Sequence, residues 1–355
     1  MNDRTRLVSV DAFRGLTVAA MLLVNDPGDW DHIFWPLEHS VWDGCTPTDL
    51  IFPFFLFIVG VSIALGLGPK LDAGGDQAAL SRTVLMRGLR ILALGLALHA
   101  IAYWAMDKAA FRPLGVLQRI GICFIAAALI NIHTKARTQW LIIGGILAGY
   151  WAVMTWGGPL TKEANLASRL DTALLGRFAY EFDPITGLGN EPEGILSTFP
   201  SIVTTLLGIR AGEWLRRGET RRLFQAGCVA LLAGWLWSFG FPLNKVLWTS
   251  SYVLWSAGWA MLALLGCHIL VDKRGFPPIG RRFGINAIAI YSGAWLAVCV
   301  MAYGHLLKPL YLGGFGWMIP YVGMYTPSLA FAIVFVSYWW LVAMILDRRK
   351  ITIKV

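Results

Sequence analysis

The chain has 355 residues, of which 57% are hydrophobic and only 14% are charged. Soluble globular proteins carry roughly 25% charged residues, so a water-soluble fold of this size is excluded. The net charge of +9 would suggest nucleic acid in a soluble protein, but here the basic residues alternate with long apolar segments. Five scattered cysteines without paired spacing form neither a disulfide framework nor a cysteine metal site.

Taken in chain order, the apolar segments predict an all-α fold, a polytopic membrane bundle of about ten transmembrane helices. Each segment is long enough to cross a hydrocarbon core of about 30 Å as a helix. The first lacks a small-residue cleavage site, so we interpret it as a permanent helix rather than a signal peptide. The predicted spans are residues 8–26, 49–68, 84–105, 115–133, 139–156, 195–212, 223–241, 248–271, 283–302 and 326–346.

The remaining segments complete one transmembrane domain over residues 1–355, without a soluble domain. Residues 303–325 are apolar but interrupted by Gly and Pro, which predicts a re-entrant or interfacial segment, or a further span. Two long outer loops are expected at 27–48 and 157–194. Long loops in compact proteins are usually functional or disordered.

The basic residues orient these spans. With the N-terminus in the cytoplasm, the inner segments hold roughly three times as many Lys and Arg residues as the outer segments. Both termini are therefore expected in the cytoplasm, where the positive charge faces anionic lipid headgroups, and no nucleic-acid partner is expected. No internal repeat is visible, which argues against an inverted-repeat transporter.

Polar residues within the spans gather at the predicted outer ends. A polar group in a membrane span is costly and usually faces a cavity or a partner, so we expect one polar chamber there. Its predicted members are Asn25, His39, Asp49, Gln118, Arg119, Ser197, Thr198, Ser201, Thr249 and Ser250.

His39, in the first outer loop, is the candidate for acid–base chemistry. An imidazole titrates near neutral pH and can take a proton from an attacking amine or hydroxyl; the alternative is a loop histidine with structural hydrogen bonds. His32, His39, Asp43 and Asp49 contain metal-ligand side chains. Their spacing follows no regular pattern, so no metal is expected.

Two arginines lie inside predicted spans, and each has two interpretations. Arg119 either binds a phosphate or carboxylate of a ligand, or pairs with Asp49 or Glu193. Arg14 lies three residues after Asp11 on one helix face, where a local ion pair is the simpler interpretation.

Asn25 and Trp42 likewise leave two interpretations open. Asn25 ends the first helix, either as a C-cap or as an amide that donates a hydrogen bond to a developing oxyanion. Trp42 either belongs to the interfacial aromatic belt or stacks on a sugar ring.

Several short strings resemble the transmembrane heparan-α-glucosaminide N-acetyltransferase family. They occur in the family's order over about residues 6–300. The strings are SVDAFRG (9–15), MLLVN (21–25), HSVWDGCTPTDLIFP (39–53), GVLQRIG (115–121), PEGILSTFPS (192–201) and WTSSYVL (248–254).

The resemblance implies an enzyme that takes an acetyl group from cytoplasmic acetyl-CoA. The acceptor would be the amine of a glucosamine-type sugar on the far side of the membrane. By position in the motif, His39 matches the family's catalytic histidine and Asn25 the asparagine beside it. The chain resembles a bacterial member, expected in the inner membrane as a homodimer.

From both lines of reasoning we expect catalytic, donor-binding and acceptor-binding residues at the outer chamber. His39 would act as the base, or carry the acetyl group in a ping-pong route. A transporter of amino sugars or small molecules, and an O-acyltransferase of a cell-surface glycan, are the alternative functions. The assignments are His39 and Asn25 for catalysis; Arg119, Gln118, Arg14, Ser197 and Thr198 for acetyl-CoA; and Asp49, Trp42 and Glu193 for the acceptor. Cytoplasmic arginines such as Arg82, Arg87, Arg90 and Arg210 are candidates for the CoA phosphates, although the positive-inside bias alone already predicts arginines there.

Overall fold

A computed structural model describes residues 7–353 and shows a bundle of α-helices, which confirms the predicted fold class. The two chain ends, which the sequence assigns to the cytoplasm, lie outside the described residues. The helices are α1 (Val8–Asn25), α2 (Ile51–Asp72), α3 (Gln77–Ala105), α4 (Val116–His133), α5 (Ala136–Trp156), α6 (Leu166–Leu175), α7 (Thr198–Arg216), α8 (Thr220–Ser238), α9 (Ser250–Cys267), α10 (Arg281–Ile285), α11 (Ala287–Tyr303), α12 (Leu307–Phe315), α13 (Ile319–Val322) and α14 (Tyr325–Arg348).

Each of the ten predicted spans coincides with one long helix. By length and hydropathy, seven helices of the described chain can cross a membrane. The number rises to eight if the two helical segments Ala287–Tyr303 and Leu307–Val322, which meet at a bend, form one span. The predicted count of about ten is therefore approximate. The two that fall short, α7 and α8, are still continuous helices of 19 residues. Most of α7 is buried, so its Ser and Thr side chains face other helices rather than lipid.

The segment predicted at 303–325 does not continue α11 in a straight line. Helix α11 and the following helical segment Leu307–Val322 meet at 94°. His305, between them, has φ +52°, a left-handed conformation that few non-glycine residues adopt. One straight span through 303–325 is therefore excluded, in line with the re-entrant or interfacial interpretation.

The long loop predicted at 157–194 has its own small fold. It contains α6 and a two-stranded antiparallel hairpin, β1 (Glu181–Asp183) with β2 (Leu188–Asn190). The Asn165 side chain caps α6 by accepting a hydrogen bond from the Ser168 backbone N–H at 2.8 Å. The Thr172 hydroxyl on α6 accepts a hydrogen bond from the backbone N–H of Gly189 in β2 at 2.7 Å. The loop is therefore an ordered segment rather than an irregular connection, and we call residues 157–197 the lid.

Helices α2 and α7 approach until their backbones touch, a contact that we call the α2–α7 seam. It is formed by Gly60 and Ala64 of α2 and by Gly208 and Gly212 of α7. A Cβ atom on Gly208 would lie 2.0 Å from the Phe57 carbonyl oxygen. Small residues four apart allow this approach between membrane helices, and here they bring two helices of one chain into contact.

Four connecting segments meet at one end of the bundle, which we call the loop end. The Gly44 backbone N–H donates to the Leu243 carbonyl at 2.7 Å, and the Trp42 indole N–H donates to the Leu160 carbonyl at 2.9 Å. The segments are residues 26–50, 106–115, 157–197 and 239–249. The connecting segments at the loop end are therefore bonded to one another.

Candidate active site

The loop end encloses a cavity of about 380 Å³, within the range of small-ligand sites (about 300–1,000 Å³). It lies between α1, α3 and α11, beneath the connecting loops. Apolar side chains such as Met21, Leu22 and Trp295 line part of it. Its polar and charged lining includes Asn25, Asp26, His39, His99, Lys108, Arg112, Glu193 and Lys245.

The central polar contact joins His39 to Asp49. His39 Nδ1 lies 2.7 Å from Asp49 Oδ1. The His39 side chain is 47% exposed and that of Asp49 only 1%. Because a carboxylate only accepts, Nδ1 donates its proton and Nε2 keeps a free lone pair. A histidine oriented in this way by a buried carboxylate is suited to act as a general base.

Asp49 also holds the loop that carries His39. Its Oδ2 accepts hydrogen bonds from the backbone N–H groups of Ser40 at 3.1 Å and Thr46 at 2.9 Å, and from the Thr46 hydroxyl at 3.1 Å. Asp49 does not line the cavity. The prediction that Asp49 binds the acceptor is therefore corrected, because the buried carboxylate lies behind His39 and its oxygens are already bonded.

Lys245 lies against the ring of His39. Its Nζ is 3.1 Å from both ring nitrogens and 4.0 Å from Asp49 Oδ1. A position equidistant from both nitrogens at this range lies over the ring face, so the Nε2 lone pair stays directed elsewhere. Burial lowers the pKa of Lys245, while the charges of Asp49 and Glu193 oppose that shift.

The loop that carries Lys245 is fixed against the loop that carries His39. The Asn244 side-chain amide donates to Asp43 Oδ1 at 3.1 Å, and the Asn244 side-chain oxygen accepts from the Leu247 backbone N–H at 2.9 Å. These contacts, together with that of Gly44, hold the two loops in register. The imidazole and the ammonium are thus fixed relative to each other.

A charged cluster forms another part of the cavity wall. The Arg112 guanidinium donates to the carboxylates of both Glu191 and Glu193 and stacks over the Tyr180 ring at 4.3 Å. Burial would raise the pKa of Glu193, but the charge of Arg112 prevails and holds that pKa below its usual value. Glu193 therefore lines the cavity as an ionised, paired carboxylate.

The family model described as the catalytic part of heparan-alpha-glucosaminide N-acetyltransferase matches residues 6–240. The chain belongs to this family. Heparan-alpha-glucosaminide N-acetyltransferase from Homo sapiens is 29% identical, covering 99% of this chain and 60% of the relative. The protein of the same name from Mus musculus is 28% identical, covering 100% of this chain and 61% of the relative. The chain thus spans about 60% of the length of these relatives.

Most of the candidate site lies within the part of the chain that the family model covers. That part contains Asn25, His39, Asp49 and Glu193, whereas Lys245 lies beyond it. Of the ten residues predicted for the chamber, Asn25 and His39 line the cavity, and the other eight do not. Glu193, predicted for the acceptor, lies in the same lining.

Four residues predicted to bind the donor lie behind the cavity rather than in its lining. Arg119 donates to the Gly194 carbonyl at 3.0 Å and to the Ser197 hydroxyl at 2.5 Å. The Thr198 hydroxyl donates to the same carbonyl at 2.8 Å, and Gln118 is buried beside them in α4. Arg119 thus fastens the turn before α7 and forms no ion pair within 4 Å to either carboxylate predicted for it.

Two further predicted residues lie away from the cavity. Arg14 donates to Asp11 at 3.2 Å and to the Ser62 hydroxyl at 2.6 Å. At 1.5 Å per residue along α1, Arg14 lies about 16 Å from Asn25 and the cavity. The local ion pair with Asp11 is therefore present. Trp42 packs against the lid formed by residues 157–197, and its indole N–H is already bonded there.

The metal-ligand side chains considered in the first outer loop do not converge. His32 Nδ1 lies 2.8 Å from Asp29, and Asp43 contacts a different loop. Only His39 and Asp49 meet. Within residues 7–353, no three His, Cys, Asp or Glu side chains form a group suited to a metal ion.

The sequence analysis gave no role in the site to four charged residues of the cavity lining, which are Asp26, Lys108, Arg112 and Lys245. One signal was available: Lys245 is the single charged residue between Arg222 and Asp272. A lone charge in so long an apolar stretch indicates a buried polar partner.

Proposed function

We propose that this protein is a transmembrane N-acetyltransferase. It would transfer an acetyl group from cytoplasmic acetyl-CoA to the amine of a glucosamine-type sugar that enters the cavity at the loop end. The observation that carries the proposal is His39, oriented by the buried Asp49 carboxylate in the lining of a sugar-sized cavity shared with Asn25. Family membership supports the same reaction class.

The proposed reaction is direct transfer, with His39 as the general base. His39 Nε2 takes a proton from the acceptor amine as its nitrogen adds to the thioester carbonyl carbon. The carbonyl electron pair moves to oxygen, where the Asn25 amide donates a hydrogen bond to the oxyanion. Collapse breaks the C–S bond, and the CoA thiolate receives the proton from His39. The products are an N-acetylated sugar and free CoA; a ping-pong route would instead pass through acetyl-His39.

The donor would reach the cavity from the opposite end of the bundle. Acetyl-CoA carries several phosphate charges, and arginine is the side chain best suited to bind phosphate. Arg210 near that end has a buried Nε without a hydrogen-bond partner in the described structure, and so does Arg119 behind the cavity. These unpartnered donors fit an anionic ligand. We propose Arg210 and Arg87 for the phosphates, with Gln118, Arg119, Ser197, Thr198 and Arg14 along the path.

The biological setting belongs to the same proposal. The single transmembrane domain, the cytoplasmic termini, the bacterial inner membrane and the homodimer stay predictions from charge distribution and family resemblance. A transporter would use the same cavity without covalent chemistry, and an O-acyltransferase would use the same base on a hydroxyl. We favour the N-acetyltransferase over these two alternatives because the human and mouse relatives both bear the name of an N-acetyltransferase.

The test uses purified protein in sealed proteoliposomes with a known orientation. Radiolabelled acetyl-CoA is supplied on the Arg210 side, and glucosamine, glucose or N-acetylglucosamine on the other side. We expect label in N-acetylglucosamine from glucosamine only, as an amide that resists mild alkali. Uptake of glucosamine without acetyl-CoA would instead establish a transporter, and an alkali-labile acetyl ester would establish O-acylation.

A further inference from the structure

Asp26 occupies a distinctive place in the cavity. It follows directly after Asn25 at the end of α1. Its side chain is half-buried and belongs to the cavity lining. The backbone of α1 fixes Asp26 beside a proposed catalytic amide, within the same enclosed space as His39.

The carboxylate of Asp26 differs from the other carboxylates around the cavity. Asp49 is bound by His39, and Glu193 is bound by Arg112. Among the described residues, the Asp26 side chain forms neither a hydrogen bond nor an ion pair. A half-buried carboxylate is costly without a partner. A cation or a hydrogen-bond donor bound in the cavity beside Asp26 would therefore stabilise it.

We propose that Asp26 binds the ammonium group of the acceptor and thereby selects amino sugars over neutral sugars. The inference rests on the proposed function, whose acceptor carries a primary amine. An ammonium ion has three N–H donors, so one can bond to Asp26 while another faces His39. Because an ammonium has no lone pair, the bound acceptor first loses one proton to solvent; His39 then takes the second proton as the neutral amine adds to the thioester. Asp26 would thus be a specificity-determining residue beside the base, and it plays no part in breaking the thioester.

The titration of Asp26 gives a second readout. Burial raises the pKa of Asp26 to about 7. Above that pH the carboxylate is ionised and attracts an ammonium ion; as pH falls through about 7 it becomes neutral and the attraction is lost. The titratable and charged groups that line the cavity with it are His39, His99, Tyr103, Lys108, Arg112, Tyr180, Glu193, Lys245 and Tyr291. On its own segment, Asp29 and His32 pair with each other.

The experiment measures equilibrium binding of glucosamine and of N-acetylglucosamine to purified protein in detergent, by calorimetry at pH 7.5 and without acetyl-CoA. The parent is compared with Asp26→Asn. The matched control is Asp31→Asn, which removes the same charge from an exposed residue of the same loop outside the cavity. Binding of N-acetylglucosamine, which has no ammonium, reports whether each variant keeps an intact cavity.

We expect Asp26→Asn to weaken glucosamine binding roughly tenfold to hundredfold, the loss of one charge-assisted hydrogen bond, and to leave N-acetylglucosamine binding unchanged. Asp31→Asn should match the parent. Between pH 7.5 and 6 the parent should lose glucosamine affinity and Asp26→Asn should not. Equal glucosamine binding by the parent and Asp26→Asn would overturn the inference, and so would a parent that binds both sugars equally or neither.

Acetyl transfer, measured in the same samples, separates this inference from the proposed function. Transfer by the parent with unchanged glucosamine affinity in Asp26→Asn would remove only the role of Asp26. Loss of glucosamine affinity in Asp26→Asn, in a protein that never transfers acetyl, would leave an amine site and remove the proposed enzyme.

Discussion

The α2–α7 seam and the cavity at the loop end, which lies between α1, α3 and α11, show opposite kinds of packing. In the seam, Gly60 and Gly208 remove side chains so that two backbones touch. At the cavity, the turn that begins α2 places Asp49 behind His39, and polar side chains remain beside open space. The seam has packing without chemistry, whereas the cavity has chemical groups without close packing.

The difference indicates where a substitution should affect stability and where it should affect activity. Membrane helices associate through close packing rather than through the hydrophobic effect, so a single methyl group in the seam has no room. The cavity wall is already loosely packed, and the fold there depends on loops that bind one another's backbone. Changes in its side chains should therefore leave the protein folded.

The largest effect is expected in the seam. Gly208→Ala places a Cβ atom 2.0 Å from the Phe57 carbonyl oxygen, and a backbone atom cannot rotate away. We expect a loss of more than about 3 kcal/mol, at or beyond the usual range of overpacking, seen as a lower Tm or no monodisperse protein in detergent. Gly144→Ala in α5, where a Cβ meets nothing within 4 Å, is the control. Equal Tm values for the two variants would contradict the close backbone contact that we describe at the seam.

At Asp49 we expect a smaller effect on the free energy of unfolding but a specific loss of kcat. In Asp49→Asn, the amide can still accept from the loop that it holds, but its N–H group now faces His39 Nδ1 and favours the wrong tautomer. We expect kcat to fall roughly 10²–10⁴-fold with an unchanged fold. Asp31→Asn, which removes an exposed carboxylate of the same loop outside the cavity, is the matched control. Parent-like turnover by Asp49→Asn would show that the base acts without this carboxylate.

The smallest effect is expected at Trp42. Trp42→Phe keeps an aromatic ring but loses the indole hydrogen bond to the lid, worth about 1 kcal/mol. Thermal unfolding should report that loss, while the KM for the acceptor should stay unchanged. A rise in that KM without a change in Tm would restore the sugar-stacking interpretation and would weaken the division between seam and cavity.

Sequence reasoning located the helices well because length and hydropathy dominate in a bilayer. Each predicted span matches a helix. This includes α7, which is not among the helices apolar enough to span a membrane by composition. Its Ser and Thr residues are tolerated because they are buried against neighbouring helices. The order within residues 157–194 escaped prediction because short, polar elements such as β1 and β2 depend on contacts with α6. Such contacts between loop residues have no periodic pattern.

The site was predicted in part, for reasons that differ from residue to residue. Asn25 and His39 were found because the motif resemblance singled them out. Asp49 was assigned to the acceptor because polarity shows that a residue has a partner, but does not name the partner. Lys245 follows His39 by about two hundred residues, and only the folded loops bring its ammonium to the imidazole. Asp26 has no hydrogen-bond or ion-pair partner among residues 7–353, so the cavity around it is what indicates a role.

The central claim is that His39 is the base of an acetyl transfer, and one assay tests it most directly. Transfer of labelled acetyl from acetyl-CoA to glucosamine is measured for the parent, for His39→Ala and for His32→Ala, a loop histidine paired outside the cavity. We predict transfer by the parent and His32→Ala, and a loss of roughly 10²–10⁴-fold in a folded His39→Ala that still binds acetyl-CoA. Transfer by His39→Ala at the parent rate would contradict the account.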